Sequence, residues 1–315
     1  MHLLIPYAGA QSPACVSTLS HLRLPQLERL LRRMDAGAAV GGDEAALNLP
    51  HERALAAAWG WQGADGCLPF AARAAAADGV AVDGRPWGLL TPVHCAVGRD
   101  HVTLDDPDAL ALGADESRAV FDAVRELFTS EGYALAWGAP LRWYLAHEEM
   151  DGLPGAALER VIGRNVDAWL QAGLDGHPAG RRLRRLQNEV QMLLYTHPLT
   201  DARDARGAPA VNSVWLSGVG RPQPADPAAT PQVDERLRTP LLHEDWAAWA
   251  EAWAALDAGP VAALAARAEA GEPAALTLAG ERLARTWTAA PLGRWAALRR
   301  RWQPAPEPAR VLEGL

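Results

Sequence analysis

Lysine is absent from this chain: all 30 of its basic Lys/Arg residues are arginine. That excludes Schiff-base chemistry, the phosphate-loop lysine and the kinase strand lysine, each of which needs an ε-amine. Basic charge is also short overall, with a net charge of −8, the wrong sign for a general nucleic-acid binder. Phe and Tyr are scarce, at 3 and 4, so large aromatic volume must come from the 13 tryptophans. The three cysteines, Cys15, Cys67 and Cys95, are widely separated. No pair has metal-ligand spacing and no disulfide framework is implied, which predicts a reducing, cytoplasmic setting. No apolar run approaches the ~18 residues of a membrane helix, so no membrane partner is expected. The opening MHLLIPYAGA has no basic region and does not read as a signal peptide.

What is present is a 315-residue chain that is 49% hydrophobic and 22% charged, the balance of a globular protein of one large domain or two modest ones. Leu3–Pro6 reads as a short buried strand. A helical pattern follows from Ala14 to Met34, interrupted at Pro25, and then a Gly/Asp stretch over 37–43. Residues 50–60 carry Pro at a helix start and Gly60 at its end. Residues 86–104 read as two strands about a turn at 98–100, 115–132 as a helix, and 133–147 as two strands joined at Gly138–Pro140. Arg181–Tyr195 is strongly helical, and Val211–Leu216 reads as a strand entering a glycine turn at 217–220. Residues 221–240 read as loop. Trp246, Trp249 and Trp253 fall on one helix face, a core stripe rather than a stacking platform. Ala274–Leu278 reads as a strand, 282–301 as mixed or helical, and QPAPEPAR as an extended tail. These elements predict an α/β fold. Its core domain covers 1–85 and 148–303, with an inserted small α+β subdomain over 86–147 and an extended tail at 304–315.

Block 181–220 concentrates the chemistry-bearing residues. Arg203 and Arg206 offer guanidinium forks for an anion, and His197 offers an imidazole that could serve as a general acid or base. Asn212 could orient a ligand or tie a loop, and Gly218 and Gly220 permit a tight turn with exposed backbone N–H groups. Each also has a structural reading: a solvated arginine face, a histidine ending a helix, an asparagine tying a loop. His94, Cys95 and His101 are not at a zinc spacing, and adjacent strand residues face opposite ways, so no metal is predicted there. GxSxG and a full dinucleotide-binding glycine fingerprint are both missing.

The run His197, Pro198, Arg203, Gly207, Pro209, Asn212, Gly218, Gly220 resembles a stretch of archaeal-type cofactor-independent phosphoglycerate mutases, with Thr200 where that family has Asn. Residues 115–145 are similar to that family's inserted subdomain, with Arg142 at its recurrent arginine. The first strand and LPQLERLLRRM resemble the superfamily's opening. The pattern also resembles a bacterial group labelled phosphoglycerate mutase or Rpf-type regulatory protein. The resemblance implies a reduced alkaline-phosphatase-like sheet flanked by helices. It also implies two divalent metals held by Asp and His, and here the chain departs from the family. The first strand runs into Ile5–Pro6–Tyr7–Ala8–Gly9 with no acid, and the C-terminal Asp-x-x-x-His motif is missing. His243, Glu244, Asp245 and Asp257 are the nearby candidates and stand in the wrong order. Two-metal phosphoryl transfer needs several carboxylates.

The reading is therefore a degenerate, metal-independent relative with no cofactor. It would bind a small anionic, phosphorylated metabolite or a protein partner in a regulatory role, through Arg142, His197, Arg203, Arg206, Asn212, Gly218 and Gly220. The alternatives are an active mutase or phosphatase using Mn or Mg through rearranged ligands, or an interaction protein using its Trp-rich C-terminal region.

Overall fold

In the computed structural model, which describes residues 1–99, 101–289 and 306–315, eleven strands are assigned: β1 His2–Ile5, β2 Asp35–Gly41, β3 Trp87–Val93, β4 Cys95–Val97, β5 Val102–Leu104, β6 Ala134–Ala139, β7 Arg142–Ala146, β8 Ser213–Gly220, β9 Gln232–Val233, β10 Ala274–Ala279 and β11 Leu283–Ala289. The helices are α1 Pro13–His21, α2 Pro25–Leu31, α3 Pro50–Trp59, α4 Phe70–Ala77, α5 Ala114–Thr129, α6 Leu158–Val161, α7 Asp167–Leu170, α8 Pro178–Tyr195, α9 Pro198–Asp204, α10 Arg238–Leu242, α11 Trp246–Leu256, α12 Ala262–Glu269 and α13 Pro308–Glu313. The result is a mixed α/β protein, with sheets flanked by helices, in two compact units. No described helix is long and apolar enough to cross a membrane.

The first unit comprises residues 1–44, 49–61 and 225–315. Its sheet has the order β2-β11-β10-β1-β9, with β9, β1 and β10 parallel and β11 and β2 antiparallel to their neighbours. The period-two alternation of β1 and β10 sends Leu3, Ile5, Leu276 and Leu278 into a core shared with Leu19, Leu27, Leu30, Trp249, Trp253 and Leu264 from α1, α2, α11 and α12. Helix α3 packs over β10, β11 and β2. Pro50 starts it, and Gly60, at φ 74°, ends it in the left-handed cap that glycine favours. The tryptophan stripe is core, as its spacing predicts: Trp249 and Trp253 are fully buried. The buried Asp257 carboxylate accepts the backbone N–H groups of Gln26 and Leu27, capping α2 from a distant part of the chain.

The second unit comprises 45–48 and 62–224. Its antiparallel sheet has the order β6-β7-β3-β8, and β4 and β5 form a separate hairpin. Helices α5 and α8 carry the apolar faces that close its main core through Val120, Phe121, Val124, Leu183, Leu186 and Val190. Buried Ser117 on α5 accepts from the Trp137 and Trp143 indoles at 3.0 and 3.1 Å and donates to the Pro140 carbonyl, locking helix to hairpin.

Several expectations need correction. The expected subdomain over 86–147 is only part of the second unit, because β8 pairs with β3 along its length and cannot belong to another sheet. Gly218 and Gly220 lie inside β8 rather than in a turn after it. A Cβ at Gly218 (φ 62°) would sit 3.1 Å from the Ala71 nitrogen, and one at Gly220 would sit 3.1 Å from the Pro69 Cβ. Both glycines serve close packing of the strand against α4 and the loop before it. The 37–43 stretch lies largely in edge strand β2, the 221–240 loop contains β9 and the start of α10, and 283–289 is a strand. The rest of the 282–301 expectation, 290–301, falls outside the described residues. Part of the tail is helical: α13 forms over Pro308–Glu313, with Leu312 and Leu315 buried.

Candidate functional site

The predicted residues fall into separate clusters within the second unit. Arg203, on α9, is 1% exposed, and its whole fork is engaged. It donates through Nη1 to Glu116 Oε2 at 2.8 Å, through Nε to the Pro209 carbonyl and through Nη2 to the Leu110 carbonyl. Arg206, half-exposed, donates to the other oxygen of Glu116. The first turn of α5 thus supplies one carboxylate to both arginines. Burial pushes the Glu116 carboxyl up, but the hydrogen bonds from Arg206 and Arg203 outweigh it, and the net displacement is downward.

His197 caps α9: its Nδ1 accepts the Leu199 N–H at 3.3 Å. Asn212 mimics a strand partner, its Oδ1 accepting the Cys95 N–H at 2.7 Å and its Nδ2 donating to the Cys95 carbonyl at 2.9 Å. Burial pushes the neighbouring Cys95 thiol up to about 11, which leaves it an inert thiol rather than a thiolate. His94 Nδ1 lies 2.7 Å from the Ala210 carbonyl. Arg142, at the start of β7, makes a two-point pair with Asp78, Nε to Oδ2 and Nη2 to Oδ1, both at 2.8 Å. The Tyr144 hydroxyl donates to the same Oδ2 at 2.6 Å. The hydrogen bonds from Arg142 hold the Asp78 carboxyl below the usual carboxylate range, while burial and Asp78 raise the Tyr144 phenol.

The structure therefore brings Arg203 and Arg206 together on Glu116 and gives Arg142, Asn212 and His197 other partners. Sequence reasoning missed Glu116, Asp78 and Tyr144. The only available signal was the acidic first turn of the helix at 115–132, which favours Glu there whatever it binds.

The second locus is the carboxyl edge of the parallel strands of the first unit, where open α/β sheets take their ligands. After β1 the chain turns at Tyr7, a non-glycine residue at φ 58°. The Tyr7 carbonyl accepts the Trp249 indole N–H at 3.1 Å, and the Ala8 carbonyl accepts that of Trp253 at 3.3 Å. Ala8 N donates to the Ala279 carbonyl at 2.8 Å, tying the loop to the end of β10. Ser12 caps α1 by accepting the Cys15 N–H at 3.2 Å. Of the acids nearby, Glu281 accepts the Gln11 N–H at 3.0 Å. Asp234, just after β9, is held by Arg236 through Nε and Nη2 at 2.9 and 2.6 Å, which lowers its carboxyl. Residues 312–315 lie over the same edge. Leu312 O approaches Gly9, and the Leu315 carbonyl accepts the N–H groups of Arg282 and Leu283.

This donor set does not suit a pair of divalent cations. Two-metal sites converge several carboxylates or imidazoles on positions about 4 Å apart. Here the position after β1 is Pro6–Tyr7, the Tyr7 and Ala8 carbonyls are occupied by indoles, and Glu281 and Asp234 face a backbone N–H and an arginine. Among the described residues no group of three His, Cys, Asp or Glu side chains could hold a metal ion.

No protein-family model matches the chain, and no curated protein matches it. Among solved structures it is similar to the PH0037 protein from Pyrococcus horikoshii, at 13% identity over 92% of this chain and 87% of that one, with a TM-score of 0.44. It is also similar to a cofactor-independent phosphoglycerate mutase from Thermoplasma acidophilum, at 13% identity over 91% and 89% of the two chains, with a TM-score of 0.35. The likeness to both is distant.

Proposed function

We propose that this chain is a metal-independent, non-catalytic relative of the phosphoglycerate mutases, with a reduced alkaline-phosphatase-like fold. It would serve as a regulatory binding protein for a small phosphorylated metabolite or a protein partner. The observation that carries the reading is the closed carboxyl edge of β1 and β10. The place where a parallel sheet presents ligands is filled by the chain's own residues 312–315, and its acids are already engaged by the protein. Of the residues singled out in the sequence, Arg206 and Arg142, each half-exposed, carry guanidinium groups a phosphate could reach, in competition with Glu116 and Asp78.

The test is direct. Purified chain is assayed with manganese or magnesium against 3-phosphoglycerate and a chromogenic phosphate ester, with elemental analysis in parallel. The expected result is no turnover and no stoichiometric metal; manganese-dependent turnover sinks the proposal in favour of an active mutase or phosphatase. A thermal-shift screen over phosphorylated metabolites then separates a metabolite ligand from a protein partner, since a ligand bound by the folded state alone raises the melting temperature.

A further inference from the structure

The segment from α13 to Leu315 meets the carboxyl edge of β1 and β10 through its main chain. A Cβ built at Gly9 would lie 2.6 Å from the Leu312 carbonyl oxygen, and one at Gly280 would lie 2.7 Å from the Leu315 carbonyl carbon and Cβ. Neither glycine has a positive φ. What each supplies is therefore room for this segment rather than backbone freedom. The Leu315 carbonyl adds the two hydrogen bonds from Arg282 and Leu283.

The side-chain anchorage is confined to one flank: Leu312 and Leu315 are buried in the unit's core, Val311 packs against it and Gln11 Nε2 donates to the Glu313 carbonyl, while Arg310 and Glu307 have side chains 82% and 61% exposed. Alongside α13 runs a groove of about 360 Å³, lined among the described residues by Val16, Leu19, Leu22, Leu24, Arg310 and Glu313. A six-residue helix has no autonomous stability. β1, by contrast, is paired on both edges, with β10 and β9, and β10 is paired with β1 and β11. A short helix over a sheet paired strand to strand is the arrangement in which two different opening free energies are expected within one unit.

We infer that residues 308–315 are a detachable latch over the carboxyl edge of β1 and β10. Closed, it covers the Gly9–Ser12 loop and the end of β10. Released, it uncovers them and leaves the sheet intact.

Hydrogen exchange on the full chain tests this. One set of amides reports the latch: Arg282, Leu283 and Val311–Leu315. The other reports the sheet: Leu3–Ile5 and Leu276–Leu278. The latch set is expected to exchange at least about tenfold faster than the sheet set and with little dependence on low urea, the signature of local opening. Gly9→Ala and Leu312→Ala act from opposite sides of the contact. Each should speed the latch set by a further factor of about ten while its weak urea dependence persists, and Leu312→Ala, which also empties a position in the core around Leu3, Ile5, Leu276 and Leu278, should lower global stability as well. If the two sets exchange at one rate with one common urea dependence, or if Gly9→Ala leaves the latch set unchanged, the segment is an integral part of the core and the latch is overturned. Gly9→Ala removes no core side chain, so it decides the matter even if Leu312→Ala fails to fold.

Discussion

The indole of Trp249 donates a hydrogen bond to the main-chain carbonyl of Tyr7, 242 residues earlier in the chain. It holds the turn after β1 in a left-handed conformation that a tyrosine adopts at a cost. Trp253, one helical turn on, donates likewise to the Ala8 carbonyl. A helix stripe thereby sets the backbone path at the end of the first strand. Trp249→Phe keeps most of the apolar volume and strands the Tyr7 carbonyl. It should destabilise the chain by about 1–3 kcal/mol in urea unfolding. A neutral result would mean that the turn does not depend on the indole.

The two arginines on Glu116 differ in burial, and that should set the cost of losing each. Glu116→Gln leaves the Arg203 charge buried without its counter-ion and should cost about 3–5 kcal/mol. Arg206→Ala removes a half-exposed partner and should cost no more than about 1 kcal/mol. Chemical denaturation of the two variants checks the ordering. Equal losses would show that Arg203 contributes no more than its surface neighbour.

Asp78 provides a pH dependence with a definite sign. Its carboxyl is held below the usual range in the folded chain by Arg142, so the pair stabilises above the ordinary carboxylate pKa of about 4, and that stability is lost as the pH falls through the lower folded value. Asp78→Asn should lower stability at pH 7 by about 1 kcal/mol, a modest figure because Arg142 is half-exposed. The gap between wild type and variant should narrow as the solution is acidified below pH ~4. A gap that is constant with pH would refute the assignment; the measurement is urea unfolding across a pH series.

Ser117 is a fully buried hydroxyl with three partners. Ser117→Ala strands two indole N–H groups and the Pro140 carbonyl, and should cost about 1–3 kcal/mol. Near-ultraviolet circular dichroism should change as well, since Trp137 and Trp143 lose their common acceptor. An unchanged melting temperature and spectrum would mean that the hydroxyl is not holding the two rings.

What the sequence determined by itself was what a local pattern can encode. The Pro-to-Gly bounds of α3, the apolar face of α8, the tryptophan stripe of α11 and the alternation in β10 are all set by residues a few positions apart. The alanine- and glycine-rich edge strand β2 and the two-residue β9 carry no such pattern and exist only because a neighbouring strand offers hydrogen-bond partners. The same limit applied to the site. The local sequence placed Arg203, Arg206 and Asn212 in one short block, but their partners Glu116 and Cys95 lie about 90 and 117 positions away. Only tertiary packing decided that these groups were engaged by the protein and that residues 312–315 would cover the end of β1. The forces that made those choices, desolvated charge pairing and close main-chain packing, act between atoms that the order of residues does not bring together.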